Sequence, residues 1–232
     1  MIVKSYIPNF ITLLNLLSGC VATIFALQGN MKLTALFVFL GVFFDFFDGF
    51  VARKLNVQSE LGVQLDSLAD MVTSGLVPGL VLFYLLGLAP PPSWINAELL
   101  PYFGLLVTLA SAYRLAKFNI STNQSDAFIG LPTPANTLLI ISLPLILEYQ
   151  NSDAMNTIIL NSWFLIVLTL LSCYILNAPV KLIALKFKTW NFKDNVSRYI
   201  LIILSVAILA VFQFAGIPLI IVTYIVLSIL SK

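Results

Sequence analysis

Four aspartates set among apolar residues are the side chains best suited to chemistry in this sequence. Asp45 and Asp48 are three residues apart, and Asp66 and Asp70 are four apart. Each pair therefore shares one face of a helix. The first pair lies near the end of one apolar segment and the second at the start of the next, and a short loop joins the two segments as antiparallel neighbours. We predict that all four carboxylates surround one small volume.

Carboxylates packed together in a medium of low dielectric constant repel each other unless a cation neutralises them. The chain has no histidine and only two cysteines, so the oxygen ligands favour Mg²⁺ or Mn²⁺, with Ca²⁺ as a further candidate, over zinc. Such ions would in turn hold the phosphates of a substrate. The alternative is that the acids are helix caps or boundary side chains. That alternative can account for Asp66 but not for Asp45, which lies about two helical turns inside Arg53.

Small residues and one arginine accompany the aspartates. Gly49, Ala52 and Gly62 would let a ligand or a neighbouring helix approach the backbone closely. Arg53 could pair with a carboxylate or a phosphate, and it could equally mark the membrane boundary. In the preceding apolar segment, a polar stripe on one helix face is predicted to face protein or a cavity rather than lipid. The stripe consists of Asn9, Thr12 and Asn15, and hydrogen bonding between helices is its other reading.

The elements that position these residues are membrane-spanning helices. Of the 232 residues, 60% are hydrophobic and 9% charged, whereas a soluble domain carries about 25% charged residues. The net charge of +2 gives no indication of a nucleic-acid partner. The first apolar run continues past Cys20 and is too long for a cleaved signal, so we expect a retained helix. Eight spans are predicted, at 8–28, 32–53, 66–88, 99–118, 133–149, 158–176, 197–214 and 217–231.

The distribution of lysine and arginine predicts the orientation of these spans. With the N-terminus in the cytoplasm, only Lys32 of the twelve basic residues falls on the outer side, which leaves eleven inside. The same pattern predicts an even number of spans and a cytoplasmic C-terminus. The basic residues assigned to the cytoplasmic side are Lys4, Arg53, Lys54, Arg114, Lys117, Lys181, Lys186, Lys188, Lys193, Arg198 and Lys232.

The segment from Asp45 to Asp70, "DFFDGFVARKLNVQSELGVQLDSLAD", resembles the signature of the CDP-alcohol phosphatidyltransferase family. That signature reads D-x2-D-G-x2-A-R-x8-G-x3-D-x3-D. All eight of its fixed positions match, which makes the resemblance highly specific. The matching residues are Asp45, Asp48, Gly49, Ala52, Arg53, Gly62, Asp66 and Asp70.

This resemblance implies an integral membrane enzyme that moves a phosphatidyl group from a CDP-linked lipid to an alcohol and releases CMP. It implies that two divalent ions are held by Asp45, Asp48, Asp66 and Asp70, and that Asp70 is also the general base. Binding of the cytidine diphosphate is implied for Gly49, Ala52, Arg53 and Gly62. Because the first span lies near the nucleotide in this family, Asn9, Thr12 and Asn15 are assigned there too. A homodimer is a further expectation.

Two more stretches resemble the phosphatidylserine synthase branch of the family, "YRLAKFN" at 113–119 and "FIGLPTPAN" at 128–136. The implied substrates are CDP-diacylglycerol and L-serine. Serine is a zwitterion, so its carboxylate needs a cation and its ammonium needs acceptors. Arg114 and Lys117 are available cations, and Asn119 could bind either group; both bases could instead mark the membrane boundary. Lys117 stands where arginine is common in that branch, which keeps the charge but loses the planar fork.

The expected organisation is a single membrane domain over 1–232 in the cell membrane. A catalytic core of six helices covers 1–176, with the active site on 45–70 facing the cytoplasm, and 177–232 forms a cytoplasmic linker and a C-terminal helical hairpin. Two alternatives stay open. One is a phosphatidyltransferase with glycerol phosphate or inositol phosphate as acceptor. The other is a cation transporter, although the acids lie towards one membrane face rather than at the midplane.

Overall fold

A computed structural model describes residues 2–120, 128–183 and 195–230. Among the predicted cytoplasmic basic residues, Lys186, Lys188, Lys193 and Lys232 lie outside these ranges, as does most of the predicted linker. The described chain forms ten α-helices. They are α1 (Ile2–Leu27), α2 (Met31–Leu55), α3 (Glu60–Asp70), α4 (Val77–Leu88), α5 (Leu106–Ile120), α6 (Thr133–Tyr149), α7 (Asp153–Ile159), α8 (Ser162–Asn177), α9 (Val196–Phe212) and α10 (Gly216–Leu230).

The prediction of an all-helical membrane-type protein is confirmed, with one small addition. Strands β1 (Phe128–Ile129) and β2 (Lys181–Leu182) form a two-residue antiparallel pair. Helices suit this composition because they satisfy every backbone hydrogen bond within the segment, which a lipid environment requires. Four helical stretches of the described chain are long and apolar enough to cross a membrane, and α7 with α8, bent by 56°, would make a fifth. The four are Tyr6–Leu27, Met31–Leu55, Glu60–Leu88 and Arg198–Leu230, and the last contains both α9 and α10, which a turn divides.

The third of these stretches is the centre of the bundle. It begins at Glu60 rather than at the predicted residue 66, and it is interrupted by a π-helical segment, Met71–Leu76, between α3 and α4. Side chains of α4 such as Val81, Leu82 and Leu85 are fully buried, and they pack with buried residues of α2, α6 and α8 in one apolar cluster. The aspartates of α3 are therefore attached to the most enclosed helix of the protein.

The two ends of the bundle carry different polar contacts. At one end, Lys32 at the start of α2 pairs with Glu148 near the end of α6, with Nζ and Oε1 2.6 Å apart. At the other end, β1 and β2 join the loops that precede α6 and follow α8. The predicted fourth and sixth spans are shorter as helices than expected. A 3₁₀ turn, Leu100–Leu105, precedes α5, and a break at Leu160 and Asn161 separates α7 from α8.

The last two helices fold back on each other. A 3₁₀ turn, Gln213–Ala215, joins them, and Gln213 has a positive φ of 48°. A β-carbon added at Gly216 would lie 2.9 Å from the carbonyl oxygen of Ile208, eight residues earlier, so the chain reverses at this turn. Gln150 at the end of α6 holds the turn, because its side-chain oxygen accepts the amide hydrogen of Ala215 at 2.8 Å.

Candidate active site

Three of the four predicted aspartates form a compact cluster. One carboxylate oxygen from each of Asp45, Asp48 and Asp66 lies within 4.8 Å of the others. Asp48 is buried, and Asp45 and Asp66 are partly buried. The i, i+3 spacing on α2 places Asp45 and Asp48 on one helix face, and α3 brings Asp66 against that face. We call these three residues the aspartate triad.

The triad has the properties of a cation site. Asp48 Oδ2 and Asp66 Oδ1 are buried and have no hydrogen-bond partner, although buried polar atoms are nearly always paired. Among the described residues, the ion pair that forms is Lys32 with Glu148. No salt bridge in that part of the chain joins a lysine or arginine to the triad. Converging carboxylate oxygens, two of them buried without a hydrogen-bond donor, match the ligand set of a hard divalent ion. The residues present therefore fit a Mg²⁺ or Mn²⁺ ion.

Asp70 lies four residues beyond Asp66, at the last position of α3, and is 9% exposed. Its Oδ1 accepts a hydrogen bond of 3.3 Å from the side-chain amide of Asn15 on α1. Asn15 was predicted to face the nucleotide together with Asn9 and Thr12, but the structure places it, fully buried, beside Asp70. Asn9 and Thr12 therefore line the cavity beside the triad, whereas Asn15, further along α1, contacts Asp70.

The connection between α2 and α3 is built by local sequence signals. Asn56 adopts a left-handed conformation with φ 53° and its amide closes the last turn of α2 on the carbonyls of Ala52 and Arg53. Ser59 then caps α3, because its hydroxyl oxygen accepts the amide hydrogen of Gly62 at 3.1 Å. This short reversal sets the two helices side by side and leaves the N-terminus of α3 pointing at the space next to the triad.

A cavity of about 180 Å³ occupies that space. Arg53 folds back over α2, since a β-carbon added at Gly49 would lie 3.3 Å from its Nη1. A β-carbon at Gly62 would lie 3.3 Å from Ser59 Oγ and 3.4 Å from Asn9 Oδ1, so this glycine allows α3 to approach α1. The cavity is lined by Pro8, Asn9, Thr12, Asp48, Gly49, Ala52, Arg53, Val57, Gln58, Ser59, Gly62, Val63 and Asp66.

The residues predicted to bind serine lie at the same end of the bundle as Arg53 but make other contacts. Arg114 Nη1 donates to the carbonyl oxygens of Ile129 at 2.8 Å and Leu176 at 2.7 Å, which ties α5 to β1 and to the end of α8. Asn119 accepts a hydrogen bond from Ser67 at 3.0 Å, which links α5 to α3. Lys117 is exposed.

Several polar residues that the sequence reasoning did not single out surround the π segment. The carbonyl oxygens of Ser74 and Gly75 accept hydrogen bonds from Thr137 on α6 at 2.9 Å and Thr108 on α5 at 3.0 Å. Asn136 is fully buried, and neither its amide nitrogen nor its amide oxygen has a partner. Thr108 stands alone in an apolar run, and Asn136 and Thr137 follow the prolines that open α6, so hydropathy patterns do not predict their partners.

The phenylalanines around Asp45 and Asp48 point away from the site. Phe43, Phe46 and Phe50 are 53%, 64% and 46% exposed, whereas Asp48 on the same helix is buried. A helix with aromatic residues outward and carboxylates inward is expected where lipid covers one face and protein the other. The segment therefore serves both as membrane surface and as one wall of the site.

Comparisons with known proteins agree with this site. The family model for CDP-alcohol phosphatidyltransferase matches residues 5–174. The chain is 39% identical over 143 residues to the CDP-diacylglycerol–serine O-phosphatidyltransferase of Bacillus subtilis (strain 168), covering 60% of this chain and 75% of that protein. Proteins of the same name from Helicobacter pylori (strain J99) and Methanocaldococcus jannaschii are 33% and 31% identical over 136 and 153 residues. These matches cover 58% and 66% of this chain, and 55% and 66% of the two relatives.

The matched region contains the whole α2–α3 reversal, the aspartate triad, Asp70 and the cavity. It ends within α8 and leaves the C-terminal hairpin outside. The chain belongs to the CDP-alcohol phosphatidyltransferase family.

Proposed function

We propose that this protein transfers the phosphatidyl group of CDP-diacylglycerol to the hydroxyl group of L-serine, giving phosphatidylserine and CMP. The observation that carries the proposal is the aspartate triad, whose three oxygens converge within 4.8 Å beside a cavity. The choice of serine rests on relatives of that name, one of which is matched over 75% of its length. The relatives from H. pylori are matched over only about half of theirs.

Asp45, Asp48 and Asp66 are the residues that would hold a divalent ion, with Asp70 contributing to a second. When bound, Mg²⁺ or Mn²⁺ would neutralise the charge of the diphosphate and of the departing CMP. The unpartnered oxygens of Asp48 and Asp66, both of which line the cavity, support this assignment. Ca²⁺ offers the same ligand chemistry and is distinguished by assay.

The cavity is assigned to the cytidine diphosphate portion of the lipid. Arg53 presents a guanidinium group suited to phosphate, and the N-terminus of α3 adds the positive end of its helix dipole. Gly49 and Gly62 have no side chain that would project into the cavity, so an extended diphosphate can lie against the backbone. Asn9 and Thr12 are assigned to the nucleotide from the α1 side.

Asp70 is assigned as the general base. It accepts the proton of the serine hydroxyl while the serine oxygen forms a bond to the phosphorus of the phosphatidyl group. The bond from that phosphorus to the bridging oxygen breaks, and CMP leaves with the electron pair. Burial beside Asn15 holds the carboxylate away from bulk water, so it is available to the acceptor hydroxyl rather than to solvent.

Lys117, Arg114 and Asn119 remain our candidates for binding serine. Lys117 is exposed at the correct end of the bundle. Arg114 uses Nη1 for two backbone carbonyls, so a serine carboxylate would have to contact its other nitrogens. Asn119 accepts a hydrogen bond from Ser67, the residue that follows Asp66 on α3. A Lys117→Ala variant is expected to raise the KM for serine several-fold without changing the KM for CDP-diacylglycerol.

The wider arrangement is also proposed. Eight spans, both termini in the cytoplasm, a six-helix catalytic core over 1–176 and a C-terminal hairpin would place the active site at the cytoplasmic face of the cell membrane. The bias of lysine and arginine supports this orientation, and the pairing of Lys32 with Glu148 places these two residues at the end opposite Arg53. A homodimer embedded in membrane lipid completes the proposal.

The experiment is a comparison of acceptors with purified protein. CMP release from CDP-diacylglycerol is measured with serine, glycerol 3-phosphate or inositol phosphate, each with Mn²⁺, Mg²⁺, Ca²⁺ or EDTA. We expect CMP release with serine but not with either phosphorylated acceptor, and no CMP release in EDTA. Release with a phosphorylated acceptor and not with serine would remove the serine assignment and leave the family assignment intact.

A further inference from the structure

Asp70 is connected to a threonine that no motif of the family segment includes. Thr73 lies in the π-helical segment Met71–Leu76. Its hydroxyl donates to the side-chain oxygen of Asn15 at 2.8 Å, with the Asn15 carbonyl oxygen a second acceptor at 3.2 Å. The amide nitrogen of Asn15 in turn donates to Asp70 Oδ1 at 3.3 Å. Thr73 and Asn15 are fully buried, so water does not compete for these bonds.

The chemistry of the three side chains fixes the direction of this chain of hydrogen bonds. An ionised carboxylate only accepts, so Asn15 must turn its amide nitrogen towards Asp70. Its oxygen then faces the opposite way and needs a donor, which the Thr73 hydroxyl supplies. A residue without a hydroxyl at position 73 would leave that oxygen unpaired in a buried setting, and nothing would hold the amide in the required orientation.

The surrounding backbone is shaped to admit Thr73. A β-carbon added at Gly41 on α2 would lie 2.5 Å from Thr73 Cγ2 and 2.9 Å from Asn15 Oδ1. A β-carbon at Gly19 on α1 would collide with Thr73 Oγ1. Two glycines on two helices thus make room for one side chain. Close approach of this kind is how small residues bring membrane helices together.

The π segment gives Thr73 its place. A π-helical turn has i→i+5 hydrogen bonds, is wider than an α-helical turn, and occurs frequently at functional sites. Here it begins one residue after Asp70. The Thr137 and Thr108 hydroxyls bind the carbonyls of Ser74 and Gly75, so the segment is anchored on α5 and α6 while Thr73 faces α1.

We propose that Asn15 and Thr73 are positioning residues that hold the Asp70 carboxylate for proton transfer. Asn15 occupies Oδ1, which leaves Oδ2 for the acceptor hydroxyl, and Thr73 fixes the Asn15 amide. This inference rests on the proposed role of Asp70 as general base. Partners that orient a reacting or ligating group from behind typically change activity by about 10–100-fold when they are removed.

The test compares Thr73→Val, which keeps the shape and removes the hydroxyl, with Thr73→Ser, which restores it. For Thr73→Val we expect kcat to fall about 10–100-fold, with KM for both substrates within about twofold of wild type. For Thr73→Ser we expect recovery to within about threefold. The matched control is Thr108→Val, which removes a hydroxyl bond to the same π segment on the side away from Asp70, and its kcat should stay near that of wild type.

Two further measurements separate positioning from a general loss of structure. If Asn15 and Thr73 act in series, Asn15→Ala combined with Thr73→Val should lose no more kcat than Asn15→Ala alone. The affinity of the aspartate triad for its Mn²⁺ ion, measured by electron paramagnetic resonance on the same variants, should stay within about threefold of wild type, because the three triad carboxylates are unchanged.

Equal kcat losses in Thr73→Val and Thr108→Val would overturn the inference, and so would losses that multiply in the double variant. If Thr73→Val does not fold, Asn15→Ala against Thr108→Val gives the same comparison. Wild-type protein that makes no phosphatidylserine would refute the proposed function instead. An active wild type with an unaffected Thr73→Val variant refutes only the positioning role.

Discussion

Replacing Asp48 by asparagine should raise the unfolding temperature when no divalent ion is present and lower it, relative to wild type, when an ion is bound. Its Oδ2 is buried without a partner, and one of its carboxylate oxygens lies within 4.8 Å of an oxygen of Asp45 and of Asp66. Two unit charges 4.8 Å apart repel by at most about 3.5 kcal/mol at an effective dielectric constant of about 20, since a carboxylate that takes up a proton no longer repels its neighbour. Asp48→Asn removes the repulsion of Asp48 from two neighbours, so in EDTA the variant should unfold at a higher temperature than wild type.

Adding metal should invert that order. An ion at about one hundred times its dissociation constant stabilises the folded wild type by about 2.7 kcal/mol, which corresponds to a rise of roughly 5–11 °C in Tm for a domain of this size. The variant lacks one of three ligands and should gain only a small part of this rise. With millimolar Mn²⁺, wild type should therefore unfold at the higher temperature.

The assay is thermal unfolding of detergent-solubilised protein, in EDTA and across a Mn²⁺ titration. Asp153→Asn is the matched control, because Asp153 is an exposed acid at the start of α7 and its removal should leave the Mn²⁺ shift unchanged. A wild-type Tm that does not respond to Mn²⁺, or a full response in Asp48→Asn, would refute the assignment of the triad as a cation site.

Three further outcomes follow from the site. Gly62→Ala places a β-carbon 3.3 Å from Ser59 Oγ and 3.4 Å from Asn9 Oδ1, so steady-state kinetics should show KM for CDP-diacylglycerol raised several-fold with kcat little changed; an unchanged KM would contradict the cavity assignment. Asp70→Asn should abolish turnover while circular dichroism shows an intact fold, and near-wild-type activity would remove Asp70 from the base role. Arg114→Leu leaves the carbonyls of Ile129 and Leu176 without their donor and should cost about 1–3 kcal/mol of stability by thermal unfolding. An unchanged Tm would show that these two hydrogen bonds do not stabilise the fold.

Much of the helical framework could be predicted because hydropathy alone determines it. The fifth predicted span, 133–149, coincides with α6, Thr133–Tyr149, since a proline at its start and polar residues at its end mark both boundaries. The third span begins at Glu60, six residues before the predicted start. Its first turns are amphipathic and are initiated by the Ser59 cap, a signal that an apolar window does not detect.

The π segment lay beyond sequence reasoning for a different reason. Met71–Leu76 reads as an ordinary part of an apolar helix, and its geometry depends on partners far away in the chain. Thr73 fits only because Gly19 and Gly41 are glycines, and the carbonyls of Ser74 and Gly75 are bound by Thr137 and Thr108. Such contacts exist only once α1, α2, α5 and α6 have assembled around the segment.

The site shows the same division between local and long-range information. Helical spacing placed Asp45 and Asp48 on one face, and the structure brings Asp66 to them. The stripe of Asn9, Thr12 and Asn15 also shares a face, but six residues of helix rise by about 9 Å. Asn9 therefore lines the cavity while Asn15 reaches Asp70. Residue spacing predicts which side chains share a helix face, but it does not predict which partner each of them meets along the length of the helix.

Transfer of labelled serine into lipid shows whether the aspartate triad supports metal-dependent synthesis of phosphatidylserine. Purified wild type and Asp66→Asn are incubated with CDP-diacylglycerol, Mn²⁺ and radiolabelled L-serine, and labelled lipid and CMP are quantified together. We expect equal molar amounts of phosphatidylserine and CMP for wild type, none in EDTA, and a loss of at least about 100-fold in Asp66→Asn, at the upper end of what removing a group at such a site costs. Serine-dependent lipid formation that persists in EDTA or in Asp66→Asn would contradict this expectation.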